Sequence, residues 1–182
     1  MRTAIDKAWV ATAIGALALA TSGVTAAALA WPESAPGRIL NLAPSHEARA
    51  SRLLGDASPS KEDLAQAQAE TMRSLRSAPA NATAWLRLAY IDSRRQEGLG
   101  AFGIAAMKRS YDAAPYGPDD TAWRLRFALN HWSRLDATTR LLVLNELRFA
   151  LTHRRAATVQ LAHDVSDSAG QVAVSLVLLE AE

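Results

Sequence analysis

Four histidines, His46, His131, His153 and His163, are the side chains in this chain best suited to metal ligation or proton transfer. None stands three or four residues from another, so no helix face carries a ligand pair, and no HExxH pattern occurs. His163 with Asp164 and Asp167 comes nearest to a cluster, and its surroundings read as a solvated helix end. Hydrolysis by paired carboxylates needs two acids whose pKa values are pushed apart across a cleft. Asp119 and Asp120 follow a turn and read as a helix cap, while Asp92 and Glu97 flank Arg94 and Arg95 as solvated pairs. No serine sits in a GxSxG elbow, and the glycines of "GLGAFG", Gly98 to Gly103, follow a helical pattern where a phosphate loop needs a strand. Cysteine is absent, which excludes disulfides, zinc-thiolate sites and thiol nucleophiles. The expectation is a chain with no catalytic residue, no cofactor and no metal.

Arginine is the remaining chemistry. Seventeen arginines stand against three lysines, and Arg87, Arg94, Arg95, Lys108, Arg109, Arg124, Arg126 and Arg134 fall in neighbouring helical segments. A row of guanidinium groups on a concave helical face could hold an acidic peptide or an anionic glycan through paired hydrogen bonds. The candidate face comprises Arg87, Arg94, Arg95, Arg124 and Arg126, with Tyr90, Tyr111 and Tyr116 lining it or completing the core. The competing expectation is an ordinary charged outer face. Nucleic acid is excluded as a partner, because the net charge is only +2 and no basic patch forms.

The elements that must carry these residues are helices. Alanine, leucine and arginine dominate, and no alternating stretch of strand length occurs. Ser60 before Lys61-Glu62-Asp63 marks a capped start for a helix to about Ser77. Asn81 caps a second helix to about Arg95, and Gly98 and Gly100 precede a third over residues 101–113. Asp119 or Asp120 starts a fourth helix and Asp136 a fifth. A further helix begins at Arg154, and "SDSAG" separates it from a short C-terminal one.

Upstream, residues 8–31 run "AWVATAIGALALATSGVTAAALAW" without a charge, after Arg2 and Lys7. That length can span a bilayer, and Trp9 and Trp31 bracket it as interface anchors do. Ala28-Leu29-Ala30 before Trp31 equally suits a signal-peptidase site. Either way the positive flank stays inside and the remainder is carried across. The domains expected are a signal-anchor or signal peptide over 1–31, a Pro/Ser-rich linker over 32–59 with one short helix around Glu47 to Leu54, and a helical domain over 60–182.

The stretch "SAPANATAWLRLAY" carries a family pattern: Pro79 lies six residues before Trp85, with Leu88 and Ala89 following at the spacing of a 34-residue helix-turn-helix unit. Ala101 falls at a small-residue position, Pro115 closes the unit, and "TAW" recurs at Trp123. Over residues 61–135 the chain resembles the tetratricopeptide (TPR) repeat, with one recognisable unit and two degraded flanking ones. The usual tyrosine falls two residues early, at Tyr90, and Lys108 replaces a small residue. The resemblance implies an all-α fold of TPR-like antiparallel helix pairs, an α-α superhelix, preceded by one N-terminal hydrophobic helix. Two short patterns, "APxNAxAWxRLA" and "AAPYxPxxxxWRL", are also similar to those of short exported proteins that accompany bacterial exopolysaccharide biosynthesis and export.

The function expected is a non-enzymatic protein-protein interaction module exposed on the outer side of the bacterial cytoplasmic membrane, serving cell-envelope polysaccharide biosynthesis or export. Its partners would be envelope proteins, with the membrane itself engaged through residues 8–31 if they are uncleaved. The chain would be a single-pass inner-membrane protein with a periplasmic domain, or periplasmic after cleavage. A small periplasmic glycan-acting enzyme and a structural subunit of a larger membrane complex are the alternatives.

Overall fold

The computed structural model describes residues 2–31, 42–117 and 120–180. Every regular element among them is helical, so the all-α expectation holds. The order is α1 (Arg2–Ala30), α2 (Ala43–Leu53), α3 (Lys61–Ser77), α4 (Ala82–Arg95), α5 (Ala101–Ala113), α6 (Thr121–Leu129), a 3-10 turn (Trp132–Arg134), α7 (Ala137–His163) and α8 (Ser168–Glu180).

Side-chain caps set several of the starts. Ser60 Oγ accepts the Asp63 amide at 3.0 Å while Asp63 accepts the Ser60 amide, a reciprocal capping box for α3. Asn81 accepts the Ala84 amide, and Asp136 the Thr139 amide. The fourth helix departs from expectation. Asp120 makes no side-chain cap and instead accepts a hydrogen bond from Thr83 Oγ1 at 2.8 Å, tying α6 to α4. Asp119 lies outside the described residues.

α5 starts by a different device. Asp92, on the preceding helix, accepts the amides of Gly100 at 2.8 Å and Gly103 at 3.0 Å, so one carboxylate supplies two partners to an otherwise open helix start. It is therefore buried, at 6% exposure, in place of the solvated carboxylate expected. The close approach this requires falls at Gly103, where a Cβ would sit 2.6 Å from Asp92 Oδ2. Ala101, which the repeat register places at such a contact, is exposed on the first turn of α5.

The main core joins α4 and α5 to α6, α7 and α8 through Leu88, Ala89, Met107, Leu125, Leu129, Val143, Leu147 and Val174. A smaller cluster of Leu64, Ala67 and Ile91 joins α3 to α4, with Leu53 of α2 against it. At the turn between α3 and α4, Trp85 Nε1 donates to the Pro79 carbonyl at 2.8 Å, so the two motif residues close the turn directly. α7 contains one non-helical residue, Arg154 (φ −143°, ψ 44°), and is thus two helices meeting at the point where the sequence pattern restarts.

α2 is the short helix expected within the linker stretch, starting four residues before Glu47, and it packs on α3. Ser74 Oγ donates to Glu47 at 2.9 Å, and Asn81 Nδ2 donates to the same oxygen. Residues 32–41, within that same stretch, lie outside the described residues.

α1 is continuous, with Thr21 and Thr25 returning their hydroxyls to the carbonyls of Leu17 and Thr21. Ile14, Leu17, Leu19 and Trp31 are exposed, and the side chain of Trp9 is outside those described. Near its end Ala28 is buried, and its carbonyl accepts Ser45 Oγ at 3.2 Å. Among the described residues no helix is long and apolar enough to cross a membrane. The signal-anchor or signal peptide expected over residues 1–31 includes residues 8–11, Ala13 and Leu29, whose side chains lie outside those described.

Candidate functional site

The first helices of three successive pairs, α2, α4 and α6, line a common cleft. Ser51 and Leu54 come from α2 and its end, Thr83, Leu86, Arg87 and Tyr90 from α4, and Trp123 from α6, with Asp120 just before it. Its volume is about 490 Å³. A second hollow of about 510 Å³ continues beyond Tyr90 and includes Arg94, Phe127, His131 and Arg134. Arg87, Tyr90 and Arg94 are spaced i, i+3 and i+7 on α4, so they follow one side of that helix. Trp123, Phe127 and His131 likewise recur every four residues along α6 and just past its end.

Aromatic contacts fix the floor. Trp123 and Phe127 stack with centroids 4.9 Å apart and planes at 10°, and His131 lies 4.5 Å beyond Phe127. Tyr90 meets Trp123 edge-on at 6.0 Å. Phe127 is absent from the walls of the first cleft while Trp123 forms one of them, so the indole turns its remaining surface to the opening. Trp123, expected as a packing residue of the repeat, is therefore only half buried and also lines the cleft.

Arg87 is the electrostatic anomaly of this cleft. Its Nη2 donates to Ser51 Oγ at 3.1 Å, but its buried Nη1 has no acceptor. Burial pushes the guanidinium below its ordinary pKa, and the charges of Glu47 and Asp120 only partly oppose this. A buried donor without a partner costs roughly 1–3 kcal/mol.

The other arginines of the expected face disperse. Arg124 is fully buried and belongs to no exposed face. Its Nε and Nη2 hold Glu146, with the Nη2 contact at 2.5 Å; Nη1 donates to Ser110 and to the Ala114 carbonyl, and Nη2 also to the Pro115 carbonyl. Tyr111 and Thr121 donate to the same carboxylate at 2.8 and 2.9 Å, and the Arg124 guanidinium lies 4.1 Å over the Tyr111 ring. Burial first, and then the Glu146 charge, push the Tyr111 phenol far above its ordinary pKa, keeping it a donor. This constellation locks the end of α5 to α6 and α7. Arg95 donates to Gln68 at 2.5 Å on the α3 side, and Arg126 is exposed on α6 outside both hollows. Of the five, Arg87 lines the first cleft and Arg94 the hollow beyond Tyr90.

Further polar groups are committed to structure. Glu70 accepts from His46 Nδ1 at 2.6 Å, Arg49 at 3.1 Å and Arg73 at 2.5 Å, joining α2 to α3. Burial raises the Glu70 pKa, but these hydrogen bonds and the Arg49 and Arg73 charges outweigh it and hold the carboxylate below its usual range. Asp167, expected in a loose cluster with His163, accepts the Gly170 amide at 2.9 Å and Ser133 Oγ at 2.8 Å, starting α8. Among the described residues no group of three histidine or acidic side chains is placed to hold a metal ion.

One other surface is open. Val172, Leu176 and Leu179 lie at 60%, 57% and 67% exposure along one side of α8, and Leu144 and Trp132 border the hollow beside Val172 and Leu176. Sequence reasoning missed this stripe because the apolar C-terminal helix reads as core all round. It also missed Glu146, although Glu146 sits in register with Val143, Leu147 and Ala150 on the buried side of α7. No family model matches this chain, and no curated protein and no solved structure is significantly similar to it.

Proposed function

We propose that this chain is a non-enzymatic, TPR-like interaction module that is exported and binds a protein partner of the cell envelope, serving polysaccharide biosynthesis or export. The observation that carries the reading is the apolar stripe Val172, Leu176 and Leu179 on the last helix. Contiguous apolar surface of this kind on a folded domain marks a partner site. Consistent with a binding role, the strongest polar constellations, Arg124–Glu146 and Glu70–His46–Arg49, spend their hydrogen bonds on holding helices together. The export address rests on Arg2 and Lys7 ahead of the uncharged run 8–31.

Size under native extraction tests the protein-facing role. Protein extracted from its own envelope should migrate in an assembly larger than the monomer, and Leu176→Glu should release the monomer without loss of helical circular dichroism. Recovery of the unaltered chain as a monomer contradicts the reading. Intact mass of the same material reports the fate of residues 1–30, which are lost if the segment is a cleaved signal and retained if it is an anchor.

A further inference from the structure

We propose that the cleft along α4 and α6 is a binding site for an oligosaccharide bearing uronic-acid carboxylates, with Arg87 donating to a carboxylate and Trp123 stacking against a pyranose ring. This site is separate from the apolar stripe of α8 and stands whether or not that stripe binds protein.

The buried Nη1 of Arg87 has no acceptor in a protein whose other buried side-chain donors and acceptors, among the described residues, are satisfied. A planar oxyanion is the acceptor a guanidinium fork fits best. Beside it stands an indole backed on one side by Phe127, a rigid apolar platform of the kind that ring C–H groups pack against. The rest of the wall includes hydroxyl and carboxylate groups: Ser51, Thr83 and Asp120. Hydroxyls both donate and accept, and Asp120 accepts only, which suits a ligand carrying many O–H groups.

The charge pattern separates this ligand from an acidic peptide. Asp120 lines the first hollow and Glu97 the second, so a densely carboxylated chain meets repulsion at both ends. A uronate chain carries one carboxylate per ring and surrounds it with hydroxyl donors for those same carboxylates. Arg87 and Arg94 are seven residues apart on one helix, a rise of about 10 Å, close to the length of two linked pyranose rings. Arg94 and Arg134 are exposed in the second hollow, available for the next carboxylate along.

The test is titration calorimetry of the full chain at low and high salt with hexameric oligouronates (galacturonate, mannuronate and glucuronate-containing), a neutral glucan hexamer and hexaglutamate. Saturable binding of at least one oligouronate is expected, weakening with salt, with no binding of the neutral sugar and weaker or no binding of hexaglutamate. Arg87→Gln should weaken the oligouronate at least about tenfold, the loss typical of a charged hydrogen bond. Trp123→Leu should also weaken it, and the exposed Arg94→Gln supplies a variant that does not disturb packing. Hexaglutamate binding as tightly as any oligouronate would assign the cleft to an acidic peptide and overturn the proposal. Failure of every oligouronate, or unchanged affinity in folded Arg87→Gln and Arg94→Gln, would overturn it as well.

Discussion

Arg124 is accommodated in the core because Glu146 and the acceptors of Ser110, Ala114 and Pro115 surround its guanidinium. Arg124 and Glu146 are both fully buried, and Arg124 uses donors on all three of its nitrogens. Removing Glu146 strands a buried guanidinium, so Glu146→Leu should lower stability by about 3–5 kcal/mol in urea unfolding. The double variant Arg124→Met with Glu146→Leu should recover much of that loss, because no charge is then left unpaired. The pair was partly legible in the sequence. Arg124 stands among Thr121, Leu125 and Ala128, and Glu146 among Val143, Leu147 and Ala150, so both interrupt apolar faces. What periodicity could not supply was that these two interruptions meet. A second expectation concerns pH. Glu70 and Asp167 both have native pKa values held below the ordinary carboxylate range, against a burial effect that raises each: Glu70 by His46 and Arg49, and Asp167 by the Gly170 amide and Ser133. Their stabilisation is complete above the unfolded pKa of about 4 and is lost as pH falls through the depressed native values. Melting temperature should therefore fall on the acid side of pH ~4, and less steeply in Glu70→Gln, as thermal scans across that range would register.

At the scale of elements, the helices were readable where a side chain announces their ends and less so where another helix supplies the cap. Ser60, Asn81 and Asp136 start α3, α4 and α7 with their own side chains, and each was visible as a capping residue. α5 is started by Asp92 from the helix before it, eleven residues ahead of Gly103, a distance at which no local pattern signals a cap. Asp92→Ala should cost about 1–2 kcal/mol and accelerate hydrogen exchange at Gly100 and Gly103, in the manner of a lost N-cap. α8 depends on a tighter contact. A Cβ on Gly170 would lie 2.2 Å from the Leu129 carbonyl, so Gly170→Ala should push α8 away from α6 and lower stability by about 1–3 kcal/mol in thermal melts. The repeat register found the fully buried Leu88 and Ala89 and the Pro79–Trp85 turn, but it misplaced the small residue by two positions, at Ala101 instead of Gly103.

For the molecule as a whole, the buried charged groups hold helices to one another and leave two surfaces of different chemistry. The cleft is aromatic and cationic, built from the first helices of successive pairs; the stripe of α8 is apolar. The arginine spacing pointed toward the cleft without locating it, because five arginines on two helices project in different directions once the pairs pack, leaving Arg87 in the first cleft and Arg94 in the adjoining hollow beyond Tyr90. The stripe was invisible for the opposite reason: Val174 and Val177 of α8 are core while Val172, Leu176 and Leu179 are not, and composition does not distinguish them. The claim that the last helix faces a protein partner is tested most directly by photo-crosslinking in the native cell. A benzophenone side chain placed at position 176 should give a discrete adduct with an envelope protein, absent when it is placed at the exposed position 160 of α7. An adduct pattern identical at 176 and 160, or no adduct at either, would contradict it.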